Sequence, residues 1–132
     1  MIPRTVYLDM DGVITDFSGG VMNHFGLRRL GRTTNDIKRW NWFGDFGLDE
    51  KAVSEFLSTS REFWAGLDWT PGGKILFSIL HQMYGEYLWL LTTPWVDNEV
   101  CRGGKLDWVN KNIPCIANRV IFSFDKSKFA TP

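Results

Sequence analysis

Thr5-Val6-Tyr7-Leu8-Asp9-Met10-Asp11-Gly12-Val13-Ile14-Thr15-Asp16-Phe17 decides how the rest of the chain is read. An apolar run with strand character stops at two carboxylates one residue apart, and the glycine behind them lets the backbone turn away. Asp9 and Asp11 therefore stand at a strand end. Open α/β sheets leave that C-terminal rim accessible, because helices cover both faces, and chemistry collects there. Two acidic oxygens held close together suit a hard cation such as Mg²⁺. They also suit divided labour: like charges that close do not both ionise freely, so one carboxyl serves as nucleophile while its neighbour keeps a proton to give away.

Asp-x-Asp-Gly arises by chance only about once in several thousand positions at ordinary composition. An EF-hand loop is excluded by spacing, since a third ligand before the glycine is missing and Gly20 stands where the bidentate Glu belongs. The plainer alternative is a surface Asp-Gly turn after a strand.

The 132 residues suit one domain, small for a complete doubly wound sheet. Lys plus Arg number 15 and Asp plus Glu 15, and this balance argues against a dedicated binder of long nucleic acid. No apolar run is long enough to span a bilayer, and Met1-Ile2-Pro3-Arg4-Thr5 leads straight into the first strand without a signal peptide, so a soluble, cytoplasmic protein with no membrane partner is expected. Cys101 and Cys115 have neither CxxC spacing nor disulfide-scaffold density and read as reduced thiols. Seven Trp beside ten Phe is unusual, and Trp40, Trp42, Phe43 and Phe46 crowd a polar, glycine-punctuated stretch, where they form either a core or a stacking surface.

Downstream of the first strand, Phe17, Val21 and Phe25 mark a short helix ending at Gly26. An irregular, partly helical insertion follows to Phe46. Asp49 caps a helix to about Ser58, and a second short helix spans Ser60 to Trp64. Thr70-Pro71 starts a helix whose apolar stripe is Ile75, Leu76, Ile79, Leu80 and Met83, ending at Gly85. Tyr87 to Leu91 reads as a buried parallel strand that ends in Thr92-Thr93-Pro94. A helix around Gly104 to Asn112 and a third strand over Arg119 to Phe124, followed by Asp125-Lys126-Ser127-Lys128, complete the pattern. Gly103-Gly104-Lys105 lacks the upstream glycine of a Walker loop and reads as a turn opening that helix. The order predicts an α/β fold: a parallel, Rossmann-like sheet with right-handed crossovers and a mainly helical insertion after the first strand. Carboxylates, then hydroxyls, then amines would meet on one rim, which is what phosphoryl transfer requires.

This constellation resembles the haloacid dehalogenase superfamily of phosphatases, whose first motif is an apolar strand followed by Asp-x-Asp-Gly, and more narrowly the 5'(3')-deoxyribonucleotidases. The matching residues are Tyr7 to Val13, Asp16-Phe17, Leu48 to Ala52, Phe63-Trp64 ahead of Pro71-Gly72, Leu90 to Pro94, Lys105 with Trp108, and Lys126-Ser127-Lys128. The resemblance implies a core of residues 1–16 and 70–132 with a helical cap of about 17–69. It implies that Asp9 attacks phosphorus and binds Mg²⁺, that Asp11 protonates the leaving oxygen, later activates water and lends the metal its main-chain carbonyl, and that Thr92 donates to the phosphoryl oxygens. Lys128 best fits the spacing of the catalytic lysine, with Lys126 as a nearby phosphate contact and Thr93 and Lys105 as further substrate contacts. Phe17 matches a base-stacking aromatic, and Trp42 and Phe43 fall in the aromatic part of the cap. Against these stand plainer readings: solvated lysines, Phe17 as a core residue, and Arg28, Arg29, Arg32, Lys38 and Arg39 as an ordinary basic face.

The family's fourth motif, an acidic pair after a further strand, is not matched, which points to a truncated sheet lacking its last strand or strands. The implied function is Mg²⁺-dependent hydrolysis of nucleoside monophosphates through an aspartyl-phosphate. The alternatives are a non-catalytic remnant that binds a phosphate ester or a protein partner, and a phosphatase for another small phosphate ester. The resemblance leaves room for a homodimer.

Overall fold

The computed structural model describes residues 4–129; residues 1–3 and 130–132, which bear on the expectations about a leader and a lost strand, lie outside it. Its centre is strand β2 (Leu88–Thr92), whose Leu88, Leu90, Leu91 and Thr92 are buried. Such continuous burial needs neighbours on both edges and cover on both faces. β1 (Val6–Leu8) pairs parallel to it with Val6 opposite Leu88 and Leu8 opposite Leu90. β3 (Val120–Phe122) pairs parallel on the other side, with Leu90 opposite Val120 and Thr92 opposite Phe122. The order β1-β2-β3 is all parallel, so Asp9, Thr93 and Ser123 follow the three strands on one rim. The fold is the expected α/β, Rossmann-like parallel sheet, with three strands among the described residues.

Strand β1 ends in a tight turn built by Met10. Its carbonyl accepts from the N–H groups of Val13, Ile14 and Thr15 at 3.0, 2.8 and 3.0 Å, and Gly12 holds the left-handed φ of 79° that the turn requires. Met10 is buried in the core, and the alternation of strand side chains sends Asp9 and Asp11 the opposite way.

The chain then leaves the sheet and returns to the same point. Asp16 N–H donates to the Asp68 carbonyl and Thr70 N–H to the Ile14 carbonyl, both at 2.9 Å, and Thr15 forms a bridge with Trp69. Between these ends lie α1 (Phe17–His24), three short 3₁₀ turns, α2 (Glu50–Thr59) and α3 (Arg61–Ala65). Asp16, Asp49 and Ser60 cap the helices through their side-chain oxygens.

Helix α4 (Gly73–Tyr84) departs from expectation in two ways. Its N-cap is Gly72 in a left-handed conformation, because the Thr70 hydroxyl is committed to the Val13 carbonyl at 2.7 Å. Its apolar stripe also faces outward: Ile75, Leu76, Ile79 and Met83 are exposed, whereas Gly73 and Phe77 are buried and Leu80 packs against the core. Helix α5 (Glu99–Asn112) starts earlier than its apolar period suggested, capped by Asn98, whose Oδ1 accepts from Cys101 N–H at 2.9 Å. Gly103 and Gly104 therefore lie inside a helix rather than in a turn. A Cβ on Gly104 would meet the Arg61 carbonyl at 2.7 Å and the Trp64 Cβ at 2.6 Å, so the bare backbone lets α3 lie directly on α5. Both cysteines are free, Cys101 buried and Cys115 exposed, and no described helix is long and apolar enough to cross a membrane.

Candidate active site

The rim at the C-terminal ends of the strands opens into a cavity of about 410 Å³. Its polar wall comes from all three strand ends: Asp9 and Asp11 after β1, Thr93 after β2, and Lys126 from the 3₁₀ turn Lys126–Phe129 beyond β3. Its apolar wall is Phe17, Trp40, Trp64, Pro94, Trp95 and Phe124.

Asp9 is half exposed. Its Oδ1 accepts from Met10 N–H at 2.8 Å and lies 2.9 Å from the Lys126 ammonium, while Oδ2 has no hydrogen-bond partner among the described residues. Asp11 is held at both oxygens: Oδ1 accepts from the Thr15 hydroxyl at 2.9 Å and Oδ2 from the Lys105 ammonium at 2.6 Å. Lys105 comes from α5 beneath the cavity and is only 2% exposed. It also donates to Thr92 Oγ1 at 2.7 Å and to the Thr93 carbonyl at 3.3 Å, and it lies 5.3 Å from the Trp64 ring centre. Charge-assisted bonds of this kind satisfy a buried ammonium that would otherwise be costly. Thr92 is buried as well, whereas Thr93 faces the cavity and its hydroxyl donates to the Ser123 carbonyl at 2.8 Å.

The structure thus brings Asp9, Asp11, Thr93, Lys126 and Phe17 to one cavity, with Thr92 and Lys105 directly behind it. Lys128, which the spacing favours, lies elsewhere, beside Asp97, Arg102 and Ser123 around a separate depression. With three residues per 3₁₀ turn, two positions along the chain is two-thirds of a rotation, so only one of the two lysines can face Asp9. Trp42 and Phe43 are likewise not cavity residues. They are 5% and 7% exposed and pack on each other with ring centres 4.8 Å apart.

Trp40, in contrast, is 98% exposed and lines the cavity, as do Trp95 and Phe124. Periodicity carries no signal for these three. Trp95 and Phe124 follow the ends of β2 and β3, and the strand-rim argument applied to Asp9 would have found both. Phe17 is partly buried and lies nearly parallel to Trp64 and to Trp95, with ring centres 5.5 and 5.9 Å away, so it backs the aromatic wall and also lines the cavity. The basic group of the insertion is largely engaged. Arg28 sits 4.0 Å from Asp16, Arg32 lies over the Phe46 ring, and Arg39 hydrogen-bonds Asp45 and holds its carboxyl below the ordinary range.

Two oxygen donors are of the class Mg²⁺ takes: the Asp9 carboxylate and the main-chain carbonyl of Asp11, which accepts no hydrogen bond among the described residues. No group of three His, Cys, Asp or Glu side chains that could hold a metal is found among the described residues.

No protein-family model matches the chain. Mouse mitochondrial 5'(3')-deoxyribonucleotidase is 28% identical over 131 aligned residues that cover 92% of this chain and 59% of the mouse protein. The human mitochondrial 5'(3')-deoxyribonucleotidase is 27% identical over the same share of this chain, which covers 57% of the human protein. The chain thus spans somewhat over half the length of these relatives. Along nearly all of its own length it is similar to 5'(3')-deoxyribonucleotidases, members of the haloacid dehalogenase superfamily whose sheet type it shares.

Proposed function

We propose that this protein is a phosphomonoester hydrolase acting on nucleoside monophosphates. The observation that carries the reading is the pairing of Asp9 with Lys126 at 2.9 Å on a cavity that Asp11 and a row of aromatic rings complete. The similarity to deoxyribonucleotidases supports the same substrate class.

In this reading Asp9 Oδ2, the oxygen without a partner, attacks phosphorus. The bond from phosphorus to the ester oxygen breaks, and Asp11 gives that oxygen its proton. Water then attacks the aspartyl-phosphate, Asp11 takes the proton from the water, and Asp9 and inorganic phosphate are released. A carboxylate nucleophile splits one difficult displacement into two easier ones. Lys126 beside Asp9 neutralises charge on the phosphoryl oxygens, while Thr92, buried behind the cavity wall, accepts from Lys105. Mg²⁺, held by the Asp9 carboxylate and the Asp11 carbonyl, would supply further charge neutralisation on the phosphate. Trp40, Trp95 and Phe124 offer faces on which a base of any type can stack.

The test is release of inorganic phosphate from a panel of ribo- and deoxyribonucleoside 3'- and 5'-monophosphates, with and without Mg²⁺, beside the Asp9→Asn variant. Turnover of nucleotides that Asp9→Asn abolishes is the expected outcome. Turnover that survives the substitution removes Asp9 from its role, and preference for phosphate esters without a base removes the nucleotide assignment.

A further inference from the structure

Lys105 does not face the cavity, although a lysine near a phosphate site is ordinarily read as a phosphate contact. Its ammonium has three hydrogens and three acceptors: Asp11 Oδ2 at 2.6 Å, Thr92 Oγ1 at 2.7 Å and the Thr93 carbonyl at 3.3 Å. The side chain is 2% exposed, runs alongside Trp64, and is absent from the cavity wall. Three hydrogens thus meet three acceptors, which leaves no donor of this ammonium for a ligand.

These acceptors belong to two different strand ends. Asp11 follows β1, and Thr92 and Thr93 end and follow β2, so the ammonium ties the two ends together from below. With Thr15 on the other oxygen, it fixes both oxygens of Asp11 and therefore the direction of its carboxyl plane. General acid–base catalysis by a side chain depends first on that direction and on reach to the proton's destination.

We propose that Lys105 is a positioning residue that aims Asp11 at the leaving-group oxygen, and that it is not a phosphate ligand. This inference rests on the hydrolase reading above. It predicts a loss that depends on the leaving group. A nucleoside leaves as an alkoxide and needs the proton of Asp11; p-nitrophenolate leaves without one.

The test compares the full-length protein with Lys105→Met and Lys105→Arg on a nucleoside 5'-monophosphate and on p-nitrophenyl phosphate. Thermal unfolding of each variant sets the folded fraction. In Lys105→Met, kcat for the nucleotide should fall about a hundredfold, the lower end of what a positioned acid contributes. The fall for p-nitrophenyl phosphate should stay within about fivefold, because that step does not draw on the acid. KM for both substrates should hold within about twofold, since no ground-state contact is removed. Lys105→Arg, which keeps the charge, should recover at least about a tenth of the nucleotide rate. Should Lys105→Met not fold, the same selective loss, smaller in size, is expected in Lys105→Arg against the wild type. Equal losses on both substrates in a folded variant, or a raised KM with kcat intact, overturn the positioning role while leaving the hydrolase reading standing. A wild-type protein that hydrolyses neither substrate overturns both.

Discussion

The ammonium of Lys126 lies 2.9 Å from Oδ1 of Asp9, and Lys128, two residues on, faces a different part of the surface. The pair joins the end of β1 to the turn after β3 across the central strand. Lys126→Met should therefore lower kcat for phosphate release by about a hundredfold, the scale of removing one charge-stabilising donor from a reacting centre. Lys128→Met should leave it within about twofold, as expected of a residue remote from the chemistry. Steady-state kinetics of the two variants side by side makes the comparison, and the reverse ranking would reassign the lysine.

Substrate selectivity should follow the exposed rings and not the buried ones. Trp95 lines the cavity, and its indole N–H meets the Ser54 hydroxyl at 3.3 Å, which steadies the ring. Trp95→Ala should raise KM for nucleoside monophosphates about tenfold, within the range of one base-stacking contact. It should leave KM for a base-free ester such as glycerol phosphate unchanged. Trp42→Ala should instead cost about 3–5 kcal/mol of stability, as a buried aromatic does. Parallel KM measurements and urea unfolding separate the two effects.

Gly104 is a helix-interior glycine at which alanine should destabilise. Helix propensity alone favours Ala by about 1 kcal/mol. Here the added Cβ would sit 2.7 Å from the Arg61 carbonyl, which is backbone and cannot rotate away, and 2.6 Å from the Trp64 Cβ. Overpacking of this kind costs about 1–3 kcal/mol, so the net sign is destabilising. A lower urea midpoint for Gly104→Ala is the expected result. Because α3 and α5 also carry Trp64 and Lys105, nucleotide turnover should fall with it.

Acid should loosen the contact between α3 and α5. Arg61 donates to both oxygens of Asp107, at 2.7 and 3.0 Å, and holds its carboxyl below the ordinary range, mainly through those hydrogen bonds. A carboxyl whose folded value is depressed contributes stability that is present above its unfolded value, and that stability is lost as pH falls through the folded value. The pair is exposed, so its contribution is small and screened by salt. The difference in unfolding midpoint between wild type and Asp107→Asn should be present at neutral pH in low salt. It should shrink below about pH 4, where free aspartates protonate, and shrink also in molar salt.

Much of the backbone was legible because local chemistry specifies it. Asp49 and Ser60 announce α2 and α3 by capping, and an apolar run between glycine and Thr-Thr-Pro announces β2. The differences in the helices have two causes. An apolar stripe marks a helix but does not say which side is covered, and in α4 the covered face is that of Phe77, leaving Ile75 and Ile79 outside. Asn98 went unread because α5 begins with polar and small residues that carry no period.

For the site, the order of residues alone determined that Asp9 and Asp11 end a strand, with threonines and lysines at later strand ends, since strand alternation and parallel order are properties of the chain. Which lysine meets which carboxylate was decided only in three dimensions. Lys126 and Lys128 differ by a fraction of a 3₁₀ turn, and Lys105 reaches Asp11 across 94 positions because two glycines let α3 and α5 close over it. The Asp9-Met10-Asp11-Gly12 motif needs no partner to be recognised. Its aim and the aromatic wall opposite it are set by side chains that arrive from elsewhere in the chain, and packing alone selects those.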